Sequence, residues 1–253
     1  MTHSLLDKTC IVFDFDCTVT YRHMYFFLND VDNFNKMYEV PGMNKDQIRA
    51  LSNAIRSIYI KNKKFVSHDK LIQDKLSLPS DSILNKFIDI IFGGFERVDI
   101  LNKFLKRYHE NGIDLHISSR GHLREIILAL RITGLFDYFT TIHSTLDKLI
   151  YQKNGSRIVQ YDQAKDKLIM YMLKHQYDNV FYIDDTHLEH ERLKSDLANY
   201  CSCTGYEQCA LLVDIDIKNY IFINTLTKNG SGIGGLEISL FDEIMMSMNI
   251  TKN

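Results

Sequence analysis

Short apolar runs recur along the chain, mostly β-branched or aromatic and each closed off by polar residues. They are CIVF (10–13), DLHI (114–117), TTIH (140–143), NVFYI (179–183) and ALLVDI (210–215). Runs of this kind suit strands buried on both faces of a parallel sheet. Between them the apolar period changes from continuous to helical. In VDILNKFLKRYHENG, Ile100, Leu101, Phe104, Leu105 and Tyr108 fall on one face, and Gly112 is a stop. GHLREIILALRITG repeats the pattern with Leu123, Ile126, Ile127 and Leu130 and closes at Gly134. AKDKLIMYMLKHQ does so with Leu168, Ile169, Met172 and Leu173. Strands alternating with helices predict an α/β fold, a doubly wound, Rossmann-like parallel sheet.

From Asp30 to Phe92 the alternation stops. NKDQIRALSNAIRSIYI and DSILNKFIDIIF are amphipathic, with Asn44 and Ser80 or Asp81 placed as N-caps, and FGGF (92–95) ends the block. The expected organisation is an α/β core of residues 1–29 and 93–253 with a helical insertion at 30–92. Residues 216–253 carry the weakest pattern. An edge element and a closing helix, SLFDEIMMSM, are expected there.

Composition narrows the class. At 253 residues and 45% hydrophobic, the chain can bury a substantial core. Lysine and arginine number 30 and aspartate and glutamate 32, which argues against a nucleic-acid partner reading a broad basic surface. The N-terminal MTHSLLDKTCIVFDF has neither the charge pattern nor the apolar length of a signal peptide, and no 18-residue apolar run exists. Five cysteines, an odd number, make no disulfide framework. The expected location is a reducing, cytoplasmic one. Without export, the sequons at Asn154, Asn229 and Asn249 are not expected to be used.

In an open α/β sheet, ligands bind beyond the carboxyl ends of the strands. The first strand ends in Asp14, Asp16 and Thr18, the second in Ser118, Ser119 and Arg120, and the fourth in Asp184 and Asp185. The helix before that fourth strand opens with Lys165 and Lys167. Carboxylates gathered at one rim repel until a proton or a cation relieves them. Oxygen-only ligands favour Mg²⁺. Asp14 is then placed to attack phosphorus, and Asp16 to protonate the leaving oxygen and later activate water. Ser118 and a lysine would bind the phosphoryl oxygens and balance charge.

The segment DFDCT (14–18) resembles the DxDxT motif of the haloacid dehalogenase (HAD) superfamily. LHISSRG, AKDKLIMYML and VFYIDDT resemble its second, third and fourth motifs, in the same order, over residues 9–190. The resemblance implies catalytic Asp14, Asp16, Ser118 and Lys165. It implies Mg²⁺ held by Asp14, the main-chain carbonyl of Asp16, and Asp185 with Asp184, while Thr18, Ser119 and Arg120, beside these residues, are the expected substrate contacts. Thr18 is similar to the phosphatase branch, and the 30–92 block stands where that family inserts its first type of cap. The implied activity is Mg²⁺-dependent hydrolysis of a phosphomonoester through an aspartyl-phosphate, on a small phosphorylated metabolite. A phosphotyrosine-type protein phosphatase and a binding module with weak turnover are the alternatives. The fourth motif departs from the common glycine–aspartate form, and Asp185 is the favoured metal ligand. Ser118 is favoured over Ser119 because it follows Ile117 directly, and Lys165 over Lys167 because the buried helix face follows it.

Other features are weaker. GSGIGG (230–235) contains GxGxxG but has too little chain after it for a dinucleotide fold, so a loop is expected. Cys201, Cys203 and Cys209 with His187 and His190 match no standard zinc spacing. Arg22, His23 and His122 flank the predicted site.

Overall fold

The computed structural model describes residues 8–63, 80–186, 191, 192, 195 and 220–224. These residues contain a seven-stranded sheet ordered β5-β4-β3-β2-β1-β6-β7. The strands are β1 (Thr9–Phe13), β2 (Asp114–Ser119), β3 (Phe139–Ser144), β4 (Leu149–Gln152), β5 (Arg157–Gln160), β6 (Asn179–Asp184) and β7 (Tyr220–Asn224). β1 pairs in parallel with β2 on one side and β6 on the other. β2–β3 and β6–β7 are also parallel, whereas β3–β4–β5 form an antiparallel extension. The chain therefore builds outward from β1 in one direction and then crosses back to build in the other. This is a doubly wound α/β fold, with its switch point at β1.

The pleat explains why β1 reads as continuously apolar. Cys10 and Val12 face the helix Lys165–His175, where they meet Leu168, Ile169 and Met172. Ile11 and Phe13 face the opposite layer, with Leu101, Leu105, Ile126 and Leu130. Both sets are buried, so neither face of the strand is left for polar residues.

Between β1 and the helix Phe95–Glu110 the regular elements of the described residues are helical: Met24–Asn29, Val31–Met37, Lys45–Lys63 and Asp81–Phe87, the last continuing as a wider turn through Phe92. The helical run thus begins six residues ahead of position 30. Asn44 closes a capping box with Gln47: Gln47 N donates to Asn44 Oδ1 and Asn44 N to Gln47 Oε1, both at 2.9 Å. Ser80 precedes Asp81–Phe87 without a side-chain cap bond. Phe27, Phe34, Ile55, Phe87 and Phe92 of this block belong to the same apolar cluster as Phe13 and Ile117 of the sheet. Two polar ties add to it. Ser52 Oγ donates to Phe27 O at 2.6 Å, and Asn29 Nδ2 donates to Glu125 on the helix Leu123–Ile132 at 3.0 Å.

The strands expected at 10–13, 114–117, 140–143 and 179–183 match β1, β2, β3 and β6. The hairpin β4–β5 was not expected. The strand at 210–215, the closing helix, GSGIGG, the late cysteine cluster and the sequons at Asn229 and Asn249 lie outside the described residues. No helix among the described residues is long and apolar enough to cross a membrane.

Candidate active site

Register carries the site. Phe13 pairs with Ile117 on one side and Ile183 on the other, and Asp14 N continues the ladder by donating to Ile183 O at 2.7 Å. One residue further along, Asp14, Ser118 and Asp184 stand level, and Ser118 pairs with His143 of β3. By the two-residue alternation these positions share the face of Cys10 and Val12, which is the face covered by the helix Lys165–His175.

That helix begins at the rim with Lys165, 5% exposed. Its ammonium donates to Asp14 Oδ1 and, at 3.1 Å, to Asp184 Oδ2. Asp184 is further held by the Tyr182 hydroxyl, by Thr186 N at 2.8 Å and by Thr186 Oγ1 at 3.0 Å. Lys167 is exposed and lies 3.8 Å from Asp166. Asp14, Asp184 and Asp185 each bring a carboxylate oxygen within 4.8 Å of the others.

The electrostatics follow from that arrangement: Lys165 binds Asp14 and Asp184, and Asp185 stands beside them with His23 as its nearer cation. Burial pushes Asp14 up, Lys165 pulls it back, and Asp184 and Asp185 push it up again, to about 8. Asp185 rises to about 6 through burial and then Asp184. Asp184 opposes burial with Lys165, Tyr182 and Thr186, and is held below its ordinary value. Lys165 is raised, because its two carboxylate partners outweigh burial. Asp14 and Asp185 thus carry repulsion that a cation would relieve, and their oxygen-only donor set fits a hard divalent ion.

Ser118 and Ser119 point different ways. Ser118 Oγ, buried on the Lys165 face, shares a 3.0 Å hydrogen bond with His143 Nδ1. Ser119 Oγ accepts from Gly121 N at 3.0 Å, within the loop after β2. Burial, then the charge of Lys165, lowers His143 to about 4, so its ring is neutral beside the serine. The helix after that loop is capped by neither serine: Asp147 Oδ2 accepts from Leu123 N at 2.7 Å, and Oδ1 is 2.8 Å from His122 Nδ1.

Asp16 sits in the tight turn Phe15–Val19, where Cys17 takes a φ of 61°. Its Oδ1 accepts from Met24 N at 2.7 Å at the start of the helix Met24–Asn29, and its Oδ2 is 3.9 Å from His23 Nδ1. Thr18 is fully buried. Arg97 clamps the turn from the helix Phe95–Glu110, donating to Thr18 O, Val19 O and Phe92 O at 3.2, 2.8 and 3.0 Å. Burial lowers Arg97 to about 10, still charged at neutral pH. Arg120 is exposed just beyond β2. Arg22 turns toward the helical block, with Nη1 donating to Ile90 O at 2.8 Å and its guanidinium 5.1 Å from the Tyr21 ring centroid.

The structure therefore brings Asp14, Ser118, Lys165, Asp184 and Asp185 to one rim, with Asp16 on the adjoining turn. His143, Tyr182 and Arg97 join them without having been singled out by pattern. His143 ends an apolar run, as Asp14 and Asp184 do, and that is the one signal that could have found it.

No family model matches the chain, and no curated protein does. Three solved structures illustrate what it is similar to. The HAD domain of the Legionella pneumophila effector Lem4 is 13% identical with a TM-score of 0.41, covering 95% of this chain and 94% of that one. The Legionella pneumophila effector Ceg4, carrying an N-terminal yeast Hog1p sequence, is 14% identical with a TM-score of 0.40, covering 95% of each chain. A HAD-superfamily hydrolase from Ehrlichia chaffeensis is 13% identical with a TM-score of 0.37, covering 96% of each.

Proposed function

We propose that this chain is a HAD-type phosphatase, a Mg²⁺-dependent phosphomonoester hydrolase that works through an aspartyl-phosphate on Asp14. The observation that carries the reading is the convergence of Asp14, Asp184 and Asp185 on one another at the carboxyl rim of β1 and β6, with Lys165 bound to the first two and Asp14 pushed up to about 8. A lone structural ion pair would not gather a third carboxylate beside the two that Lys165 binds.

Asp14 and Asp185 would hold the ion, with the main-chain carbonyl of Asp16. Bound there, Mg²⁺ supplies the positive charge that the carboxylates lack and screens them from an incoming phosphate. Asp184, already engaged by Lys165, Tyr182 and Thr186, positions Lys165 more than it offers free oxygens. Lys165 neutralises Asp14 and then the developing charge on the phosphoryl oxygens. An Asp14 oxygen attacks phosphorus, and the ester oxygen leaves with the proton supplied by Asp16. Asp16 then takes a proton from water, whose oxygen attacks the acyl phosphate and frees inorganic phosphate. Ser118, oriented by neutral His143, donates its hydroxyl to a phosphoryl oxygen.

The helical block at 30–92 is the proposed cap, and a cap closing over the rim would favour a small phosphorylated metabolite as substrate. The test is hydrolysis of a generic aryl phosphate, followed by a panel of sugar phosphates, nucleotides and phosphoserine and phosphotyrosine peptides. The expected result is Mg²⁺-dependent turnover that EDTA removes and Asp14→Asn abolishes. Turnover confined to phosphopeptides would move the substrate class to proteins. A wild-type chain inert to the whole panel would refute the reading.

A further inference from the structure

Beside the carboxylate cluster lies a second group, which shares Asp185 with it and adds two side chains that the proposed reaction does not use. Cys17 Sγ, a ring nitrogen of His23 and an Asp185 oxygen all lie within 4.8 Å of one another. We propose that Cys17, His23 and Asp185 form a site for a zinc-class divalent ion, and that its occupation takes Asp185 away from the oxygen-only cluster.

The chemistry of the donors separates the two sites. A thiolate, an imidazole and one carboxylate make a borderline-soft set that favours Zn²⁺ or Co²⁺ and disfavours Mg²⁺, which seeks oxygen alone. Two ligands on a tetrahedral zinc ion stand about 3.5 Å apart. The present spacing therefore needs only side-chain adjustments of about an ångström. Three protein ligands leave one position for water or another small ligand.

The surroundings hold the donors in place. Thr20 Oγ1 accepts from Cys17 N at 3.1 Å, fixing the turn in which Cys17 has its left-handed φ. The Tyr38 hydroxyl is 3.4 Å from Cys17 Sγ and can donate to the sulfur once it carries charge. The His23 ring stands edge-on to Phe26 at 5.0 Å, with Asp16 Oδ2 3.9 Å from its Nδ1. A partner such as the Tyr38 hydroxyl orients a metal-bound thiolate, and a nearby carboxylate such as Asp16 does the same for an imidazole. Cys17 is buried while His23 and Asp185 are half-buried, so an ion can enter from their side. Asp185 belongs to both groups, and so binding at the two sites is mutually exclusive or strongly antagonistic.

The site itself does not depend on the proposed reaction. The test is a Co²⁺ titration of the full chain under reducing conditions, following the thiolate-to-cobalt charge-transfer absorption. The expected result is one thiolate-bound equivalent that Zn²⁺ displaces, that Mg²⁺ weakens competitively, and that is missing in Cys17→Ser. The cysteines at 201, 203 and 209 are controls within the same chain. If the band persists at full amplitude in Cys17→Ser, or is absent from the wild type, the proposal is overturned. Should Cys17→Ser not fold by circular dichroism, His23→Gln takes its place. It is expected to weaken Co²⁺ binding about tenfold or more, and an unchanged affinity there overturns the site. In turnover assays with Mg²⁺, Zn²⁺ is expected to inhibit the wild type and to lose that effect in Cys17→Ser. A chain that binds Co²⁺ through Cys17 but hydrolyses nothing upholds the site and counts against the proposed reaction.

Discussion

Asp14 and Asp184 share the Lys165 ammonium, yet their environments drive them apart. Asp184 accepts from Lys165, Tyr182 and Thr186, whereas Asp14 rises to about 8 through burial and then the repulsion of two neighbours, which Lys165 only partly offsets. Different substitutions should therefore fail in different ways. Asp185→Asn is expected to raise the Mg²⁺ concentration needed for half-maximal activity by about tenfold or more, with a smaller loss in turnover at saturation. Asp184→Asn is expected to lower turnover by about 10²-fold by loosening Lys165, with the Mg²⁺ requirement little changed. Metal titrations of the two variants' kcat separate these outcomes, and identical profiles would show that the division of roles is wrong. The strand-end carboxylates and Lys165 were legible in the sequence, because an apolar run that stops at an acid marks a rim position. Their relation to His143 and Tyr182 was not. The Ser118–His143 contact depends on register across strands, and nothing within β2 announces which neighbour it will meet, whereas Tyr182 meets Asp184 two residues along the same face of β6.

At the scale of elements, the helix Lys165–His175 does two jobs. Its first residue enters the site, and Leu168, Ile169 and Met172 pin it to Cys10, Val12, Val180 and Tyr182. Ile169→Ala is expected to cost about 2–5 kcal/mol, the range for truncating a fully buried branched residue. Urea denaturation checks this, and a cost under about 1 kcal/mol would mean the helix does not depend on that contact. The long helix Lys45–Lys63 begins with the Asn44–Gln47 capping box, so Asn44→Ala is expected to cost about 1 kcal/mol in the same assay. Helix periodicity and caps made the major helices readable in advance. The β4–β5 hairpin escaped because its strands have four residues each and β5 is only partly buried, leaving no apolar run to see. The helix Met24–Asn29 escaped because its aromatics, in MYFFLND, pack between the sheet and the helical block and show no clear single face.

Across the whole molecule, two buried histidines lose their contribution to stability in acid. Burial lowers both His116 and His143 to about 4, from an ordinary value near 6.5. At these two sites the unfolded chain binds more protons than the folded one below pH 6.5, so their contribution to stability is lost as pH falls from about 6.5 to about 4, while Asp14 and Asp185, raised to about 8 and about 6, act in the opposite direction. Each histidine accounts for up to about 3 kcal/mol of that loss. Denaturation measured across this window isolates one site: the stability of His116→Gln relative to the wild type should rise as pH falls, and a pH-independent difference would contradict a neutral, buried His116. The doubly wound arrangement has a functional consequence at the same scale: it places the ends of β1, β2 and β6 side by side at the switch point, so residues 14, 118, 165 and 184 meet from four separate parts of the chain. The most direct measurement of the central claim is a structure of the chain with Mg²⁺ and beryllium fluoride, which mimics a phosphoryl group on a carboxylate. The expected result is beryllium bonded to an Asp14 oxygen, with Lys165 and Ser118 on the fluorides. Beryllium fluoride bound at another residue, with Asp14 untouched, would contradict Asp14 as the nucleophile.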